Sequence, residues 1–424
     1  MVQRLPMSID LSVFPCRSCG QTRLTPVLSL GDTPLANALL TQAQLAEPEG
    51  TYPLDLVFCP DCCLVQITET VPPETLFGNY FYFSSFSDTM LRHAETLVGQ
   101  LVERRHLGPD SLCVEIASND GYLLQYYHQR DIPVLGIEPA ANIAKVAQEE
   151  RGIRTRCEFF TRELAETLVA EGLHADVIHA NNVMAHVADL NGFMAGIGQL
   201  LKHAGLAVIE APYVRDMIEH VEFDTIYHEH LCYFSLTAVD HLVRRHGLQL
   251  VDVERLAIHG GSLRFVIGKA DAVTDGRHQV SPAVAQLLAE EAQLGLTHLP
   301  YYRNFAKHVE QLRTGLLDVL RELKAEGRSI AAYGASAKGS TLLNYFGIGA
   351  ETLDFVVDRS TVKQGHYTPG THLLIESPDQ LMAVRPDYVL LLTWNFAEEI
   401  MAQQAAYREQ GGRFIMPLSQ PHVV

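Results

Sequence analysis

Four consecutive residues, Tyr227, His228, Glu229 and His230, carry side chains that can give or take a proton. Phenol, imidazole and carboxyl side by side suit enolisation, which needs a base for a proton next to a carbonyl and donors for the charge that moves onto its oxygen. His230 is the candidate base, because imidazole titrates near neutral pH. Glu229 would orient a ring or hold hydroxyls, and Tyr227 would donate to the oxyanion. On a strand, His228 and His230 would share one face and Tyr227 and Glu229 the other, so the four could not all point inward; a turn would relax that limit. A His-x-His pair also serves as a structural pair or as part of a metal site, and a zinc hydrolase is the competing reading.

A second set of reactive groups lies near the start. Cys16 and Cys19 form one C-x-x-C knuckle, and Cys59 and Cys62 form another, followed directly by Cys63. Two such knuckles supply four thiolates to one tetrahedral zinc, and a shell of four cysteines leaves no position for water, so the expected role is structural. The alternative is a set of buried, unliganded thiols.

Two strand, turn and helix patterns must position these groups. In "SLCVEIASNDGYLLQYY" a buried strand runs into a sharp turn of Ala117, Ser118, Asn119, Asp120 and Gly121. The next strand, "PVLGIEP", ends in Glu138 and Pro139, and Glu138 stands at the distance from Glu115 expected of an acidic residue meeting ribose hydroxyls. The turn lacks G-x-G-x-x-G, which argues against a pyrophosphate seat and for a nucleoside cofactor without phosphate, S-adenosylmethionine being the common one. In "ADVIHANNVMAHV" a strand ends at Asn181 and Asn182, which either face the ligand crevice with His186 or form a turn.

The second pattern follows two long helical stretches. "RSIAAYGASAKGSTLLNYFGI" places backbone N–H groups of Gly334 to Thr341 at a helix N-terminus, where Ser336, Lys338, Gly339, Ser340 and Thr341 could seat an anion. "LDFVVD" then ends in Asp358, again placed to meet a ribose; the alternative is a glycine turn needed for packing alone. "IHGGSLRF" is expected as a strand with a bulge at Gly260 and Gly261. Its Arg264 either faces ligand or sits in a surface salt bridge. A loop carrying Lys363 and Tyr367 would touch the nucleotide.

The whole chain sets the outer bounds. At 424 residues, 47% hydrophobic and 19% charged, it is long enough for two or three α/β-type domains with real cores. A formal net charge of -18 disfavours nucleic acid as a partner. The expectation is a cytoplasmic protein with no membrane segment.

The two cysteine pairs, "EIASNDG", "NNVMAHV", "YHEHLCYFS", "GGSLR" and "YGASAKGSTLLNY" together resemble, over essentially the whole chain, the sugar C-methyltransferases that act on nucleotide-activated 4-keto-deoxysugars. The resemblance implies a monomer with three parts: a zinc-binding module (1–72), a class I S-adenosylmethionine methyltransferase α/β domain (73–272), and a helical linker with a C-terminal Rossmann-like domain (273–424). It implies that Glu115, Ala117, Ser118, Asn119, Asp120, Gly121, Glu138, Pro139, Asn181 and Asn182 bind the methyl donor. It places Tyr227, Glu229, His230, His186 and one of Tyr80 and Tyr82 around the reacting sugar. The nucleotide would be held by Arg264, Gly334, Ser336, Lys338, Gly339, Ser340, Thr341, Asn344, Asp358 and Lys363, the carrier being dTDP, GDP or CDP. Methyl transfer would go to C3 through an enolate, with C5 as an alternative target; O- or N-methylation, or sugar-nucleotide binding without catalysis, are the competing functions.

Overall fold

Three sheets organise the chain in the computed structural model, which describes residues 11–77 and 83–424. Tyr80 and Tyr82 lie outside the described residues.

The first sheet is antiparallel and orders Thr25–Pro34, Thr51–Phe58, Val65–Ile67 and Cys232–Tyr233. Its last strand comes from the segment that carries His230, so the N-terminal module is completed by residues far along the chain. Leu56, Val57 and Phe58 are consecutive and all 0% exposed, which means that both faces of this sheet are covered.

The second sheet has seven strands in the order Leu248–Leu256, Ser262–Lys269, Leu201–Pro212, Ala175–Asn181, Cys113–Ile116, Val134–Ile137 and Thr155–Arg156. Short apolar runs such as Cys113–Ile116, buried throughout, suit a parallel sheet covered on both faces. The chain first builds outward from Cys113–Ile116, then returns to lay Ala175–Asn181 on that strand's other side. A ligand crevice therefore opens between the carboxyl ends of these two strands. Ser262–Lys269 runs antiparallel to both neighbours.

The bulge expected at Gly260 and Gly261 is replaced by a short 3-10 turn, Ile258–Gly260, before the strand. The register shift in that hairpin lies between Leu250 and Asp252 instead. The glycines answer to close approach: at Gly261 (φ 126°) a Cβ would stand 2.1 Å from the Asp216 carboxyl, and at Gly260 it would meet Glu222 and Trp394.

The third sheet orders Ile375–Glu376, Val356–Val357, Ile330–Tyr333, Tyr388–Leu391, Arg413–Met416 and His422–Val423. It repeats the doubly wound logic, and its switch point falls between Ile330–Tyr333 and Tyr388–Leu391. The helices Pro282–Leu294 and Phe305–Ala325 lead into it. Glu291, 0% exposed on the first of them, accepts from the Tyr213 hydroxyl, the Leu236 and Thr237 N–H groups and the Thr237 hydroxyl. A buried carboxylate is tolerable because those donors replace its water. Among the described residues, no helix is long and apolar enough to cross a membrane.

Candidate active site

The cysteine knuckles converge as their spacing predicts. The sulfurs of Cys16, Cys19, Cys59 and Cys62 all lie within 4.8 Å of one another, with Cys16–Cys62 and Cys19–Cys59 at 3.6 Å. Four thiolates around a zinc at ~2.3 Å stand ~3.8 Å apart, so the set fits the ion closely. Cys63 turns away through a left-handed backbone (φ 61°), its thiol 3.9 Å from the Thr297 carbonyl. Among the described residues this is the one cluster of three or more groups placed to hold a metal.

At the first crevice the turn is tightly wound. Ala117 (φ 51°), Asn119 (φ 50°) and Gly121 (φ 78°) alternate in the left-handed region, which is costly for alanine and typical of ligand-holding turns. Buried Glu115 Oε2, Ser118 Oγ, Asp120 Oδ1 and Asn181 Oδ1 have no hydrogen-bond partner. Unsatisfied buried acceptors are expensive unless a ligand meets them, so these residues fit a polar nucleoside cofactor. Glu138 accepts the Asn119 N–H at 3.0 Å and the Ala140 N–H at 2.9 Å; burial raises its carboxyl to about 7. Pro139 follows it, and its carbonyl accepts from the Cys157 thiol. Asn182 (φ 56°) has its N–H on the Glu210 carbonyl, which makes it part of the turn after the strand. The Ser84 N–H donates to Asn119 Oδ1 and the Ser85 hydroxyl donates to Asp120, so the chain just after the tyrosine-rich stretch rests on the same turn.

The reactive segment is a turn. The His230 N–H closes onto the Tyr227 carbonyl at 2.8 Å, and Leu231 N–H bonds the Ala185 carbonyl at 2.7 Å before the chain pairs with Val65–Ile67. The turn splits the two histidines. His228, 1% exposed, points its Nε2 at the Tyr52 and Pro53 carbonyls of the N-terminal module. His230 turns inward, with Nδ1 at 2.8 Å from the Thr225 carbonyl and Nε2 at 2.8 Å from the Tyr227 hydroxyl. A carbonyl only accepts, so Nδ1 bears the proton and Nε2 of the neutral ring offers its lone pair, on which Tyr227 donates. His186 stands edge-on to His230 at 4.8 Å, and burial pushes its imidazole down to about 4. Burial raises Glu229 to about 7. Its Oε1 accepts from the Asn37 amide at 2.7 Å.

Several residues expected at the second crevice have other partners. Thr341 donates its hydroxyl to the Ile226 carbonyl at 3.2 Å, and the Asn344 amide donates to the Ser340 and Pro369 carbonyls. These side chains join the C-terminal domain to the reactive segment and to its own loop. Arg264, 7% exposed, is tied to Glu210 at 2.7 Å and to Glu254, with His93 beside it; the salt bridge is the better reading, and it is buried rather than on the surface. Asp358 accepts the Ala335 and Ser360 N–H groups, both at 2.8 Å, and so braces the turn. Lys363 donates to the Ala335 carbonyl at 2.8 Å. Gly334 (φ 99°) and Gly339 let the turn approach Thr393 and Leu392, while Ser336 caps the helix Ala337–Phe346 by accepting the Gly339 N–H; Ser340 is buried in its first turn. The Lys338 ammonium stands 4.4 Å over the Trp394 ring, and Trp394 Nε1 donates to Asp224 at 2.7 Å. Burial raises Asp224 to about 6 and Glu222 to about 8, against the pull of Lys338. Asn37, Trp394 and the partners of Arg264, Glu210 and His93, carried no signal in the sequence, because each acts on residues remote in the chain.

Comparison with known proteins matches three consecutive stretches to family models: a zinc-binding domain, so assigned by inference, at residues 16–77; a methyltransferase domain at 90–253; and a C-methyltransferase C-terminal domain at 257–419. The C-methyltransferase NovU of Streptomyces niveus is 39% identical over 409 residues, 96% of each chain. Among solved structures, an S-adenosylmethionine-dependent methyltransferase of Thermotoga maritima is 18% identical over 42% of this chain and 90% of its own, with a TM-score of 0.32. Magnesium protoporphyrin IX methyltransferase of Synechocystis is 11% identical over 46% of this chain and 88% of its own, with a TM-score of 0.34. With 39% identity to a C-methyltransferase over nearly the full length of both chains and all three stretches matched in order, the chain belongs to the family of S-adenosylmethionine-dependent C-methyltransferases that carry an N-terminal zinc-binding domain.

Proposed function

We propose that this enzyme methylates C3 of a nucleotide-activated 4-keto-6-deoxysugar. The observation that carries the reading is the Tyr227–His230 pair, in which the Thr225 carbonyl fixes the imidazole tautomer and leaves Nε2 as acceptor. A ketone at C4 acidifies the C3–H bond, and the pair takes that proton, with Nε2 as its final holder. The enolate charge moves onto O4; Tyr227, having passed its own proton to Nε2 and taken the one from C3, donates to it together with a tyrosine of the stretch before Phe83. Glu229 and His186 hold the ring and its hydroxyls. S-adenosylmethionine, held by Glu115, Ser118, Asp120, Glu138 and Asn181, supplies the electrophilic methyl. The nucleotide part, dTDP, GDP or CDP, lies at the second crevice against Gly334, Ser336, Gly339 and Ser340, with Lys338 and Lys363 as the nearby cations. A monomer in the reducing cytoplasm, where the zinc thiolates stay reduced, completes the reading.

The test is proton exchange without methyl donor. A thymidine diphosphate 4-keto-6-deoxyhexose incubated with the enzyme in deuterated water should take up deuterium at C3, and His230→Ala should abolish the uptake. Methylation of a 4-hydroxy sugar without exchange would overturn enolisation, and exchange confined to C5 would move the target there.

A further inference from the structure

We infer that Asn37, a residue of the zinc-binding module, is a positioning residue for the sugar site: its amide fixes the Glu229 carboxyl. The inference rests on the reading of Glu229 as a sugar-facing group. Asn37 Nδ2 donates to Glu229 Oε1 at 2.7 Å across a separation of 192 residues. No other hydrogen bond to this carboxyl is present among the described residues, and the side chain is 4% exposed. Lys363 of the C-terminal domain is the charged group that faces it, and His186 lies against its backbone carbonyl. Glu229 thus interacts with groups from all three parts of the chain.

The position of Asn37 is itself set by docking between the outer two parts. Leu40 N–H bonds the Tyr367 carbonyl at 3.0 Å, and the return bond from Tyr367 N–H to the Leu40 carbonyl is 2.8 Å. The Tyr367 hydroxyl donates to Gln42, and Glu49 accepts the Gly370 N–H at 2.9 Å. The loop that receives these contacts also carries Lys363. The zinc knuckles lie at the other end of the strand pair Thr25–Pro34 and Thr51–Phe58, where a bound zinc would brace the module that carries Asn37. With Oε1 held by the amide, Oε2 is the atom presented to a sugar hydroxyl.

An aspartate at this place replaces the donor with a second carboxylate, which restores the bond only when the pair shares a proton. The measurement is kcat/KM for a thymidine diphosphate 4-keto-6-deoxyhexose against pH, for the wild type, Asn37→Ala, Asn37→Asp and Glu229→Gln. Zinc content and S-adenosylmethionine affinity by calorimetry serve as folding controls. We expect Asn37→Ala to lose about 10- to 100-fold at every pH, the size of one hydrogen bond to a charged group. Asn37→Asp should lose as much at alkaline pH and recover toward the wild type as pH falls, with metal content and methyl-donor affinity unchanged. Asn37→Ala and Asn37→Asp at wild-type kcat/KM and pH profile, with Glu229→Gln impaired, would overturn the role of Asn37 while leaving that of Glu229. Wild-type kcat/KM in Glu229→Gln would overturn the reading of the site beneath it as well.

Discussion

The molecule contains two doubly wound crevices, and they treat their own polar groups differently. At the first, Glu115, Ser118, Asp120 and Asn181 each keep a buried oxygen without a partner. At the second, Tyr333 Oη on the strand and Ser360 Oγ beyond Asp358 keep such an atom, while the turn 334–341 has none among the described residues: Ser336 caps its helix, Thr341 reaches Ile226 and Lys338 covers Trp394. A turn with unmatched acceptors is built for a ligand that matches them. A turn that satisfies itself is built to hold neighbouring chain, and offers a ligand chiefly the N–H groups that every helix start leaves over. The same topology thus leaves its polar side chains open to a ligand in one place and turns them mainly to neighbouring chain in the other. Between the two stands the reactive turn, fastened to the C-terminal domain through Thr341 and Trp394.

Breaking the chemistry between the crevices should have the largest effect. His230→Ala is expected to lower the rate of methyl transfer by about 10³-fold while S-adenosylmethionine affinity, measured by calorimetry, changes less than about twofold. A parallel loss of cofactor affinity would mean that His230 belongs to the first crevice. Next, Asp120→Ala should weaken S-adenosylmethionine binding by about 10- to 100-fold and leave nucleotide binding unaltered, whereas Ser336→Ala should do the reverse to the methyl donor: no change in its affinity. If both substitutions weakened the methyl donor alike, the contrast between the crevices would fail.

The charged cluster beside the second crevice gives a pH test. Burial raises Glu222 from 4.5 to about 8, so the folded protein keeps a proton that the unfolded chain releases. Stability from this group is therefore present below about pH 4.5 and lost as pH rises toward about 8. Glu222→Gln should raise stability by several kcal/mol, on the order of 4, at about pH 9, since each tenfold change in proton affinity is worth about 1.4 kcal/mol and the rise from 4.5 to about 8 already contains the pull of Lys338, and should change little at about pH 4.5. Denaturant midpoints at the two pH values check this; an equal gain at both would show that packing, and not proton uptake, is responsible. The smallest effect belongs to the cap: Ser336→Ala should cost about 1 kcal/mol in the same assay.

Legibility in the sequence followed distance along the chain. The Cys16–Cys19 and Cys59–Cys62 knuckles were readable because two residues between thiols set a turn radius whatever surrounds it. The strand ends at Ile116 and Asn181 were readable for a similar reason, as apolar runs stopped by turn formers. The opposite facing of His228 and His230 was not, since it depends on whether the segment is strand or turn, and that is settled by Leu231 bonding Ala185 and by Cys232–Tyr233 joining Val65–Ile67. Arg264 left two readings open, and Glu210 on the neighbouring strand decides between them.

The sequence by itself determined the order of modules, the zinc ligands and the chemistry that Tyr227, Glu229 and His230 can offer, because side-chain type and short spacing are local properties. Only the tertiary structure decided that Asn37 meets Glu229, that Lys338 lies over Trp394 and that His230 presents Nε2 to Tyr227. The first two pairings join residues whose meeting depends on sheet order and domain docking, and the third depends on a turn that Leu231 bonding Ala185 and Cys232–Tyr233 joining Val65–Ile67 impose, so no propensity of either residue encodes its partner.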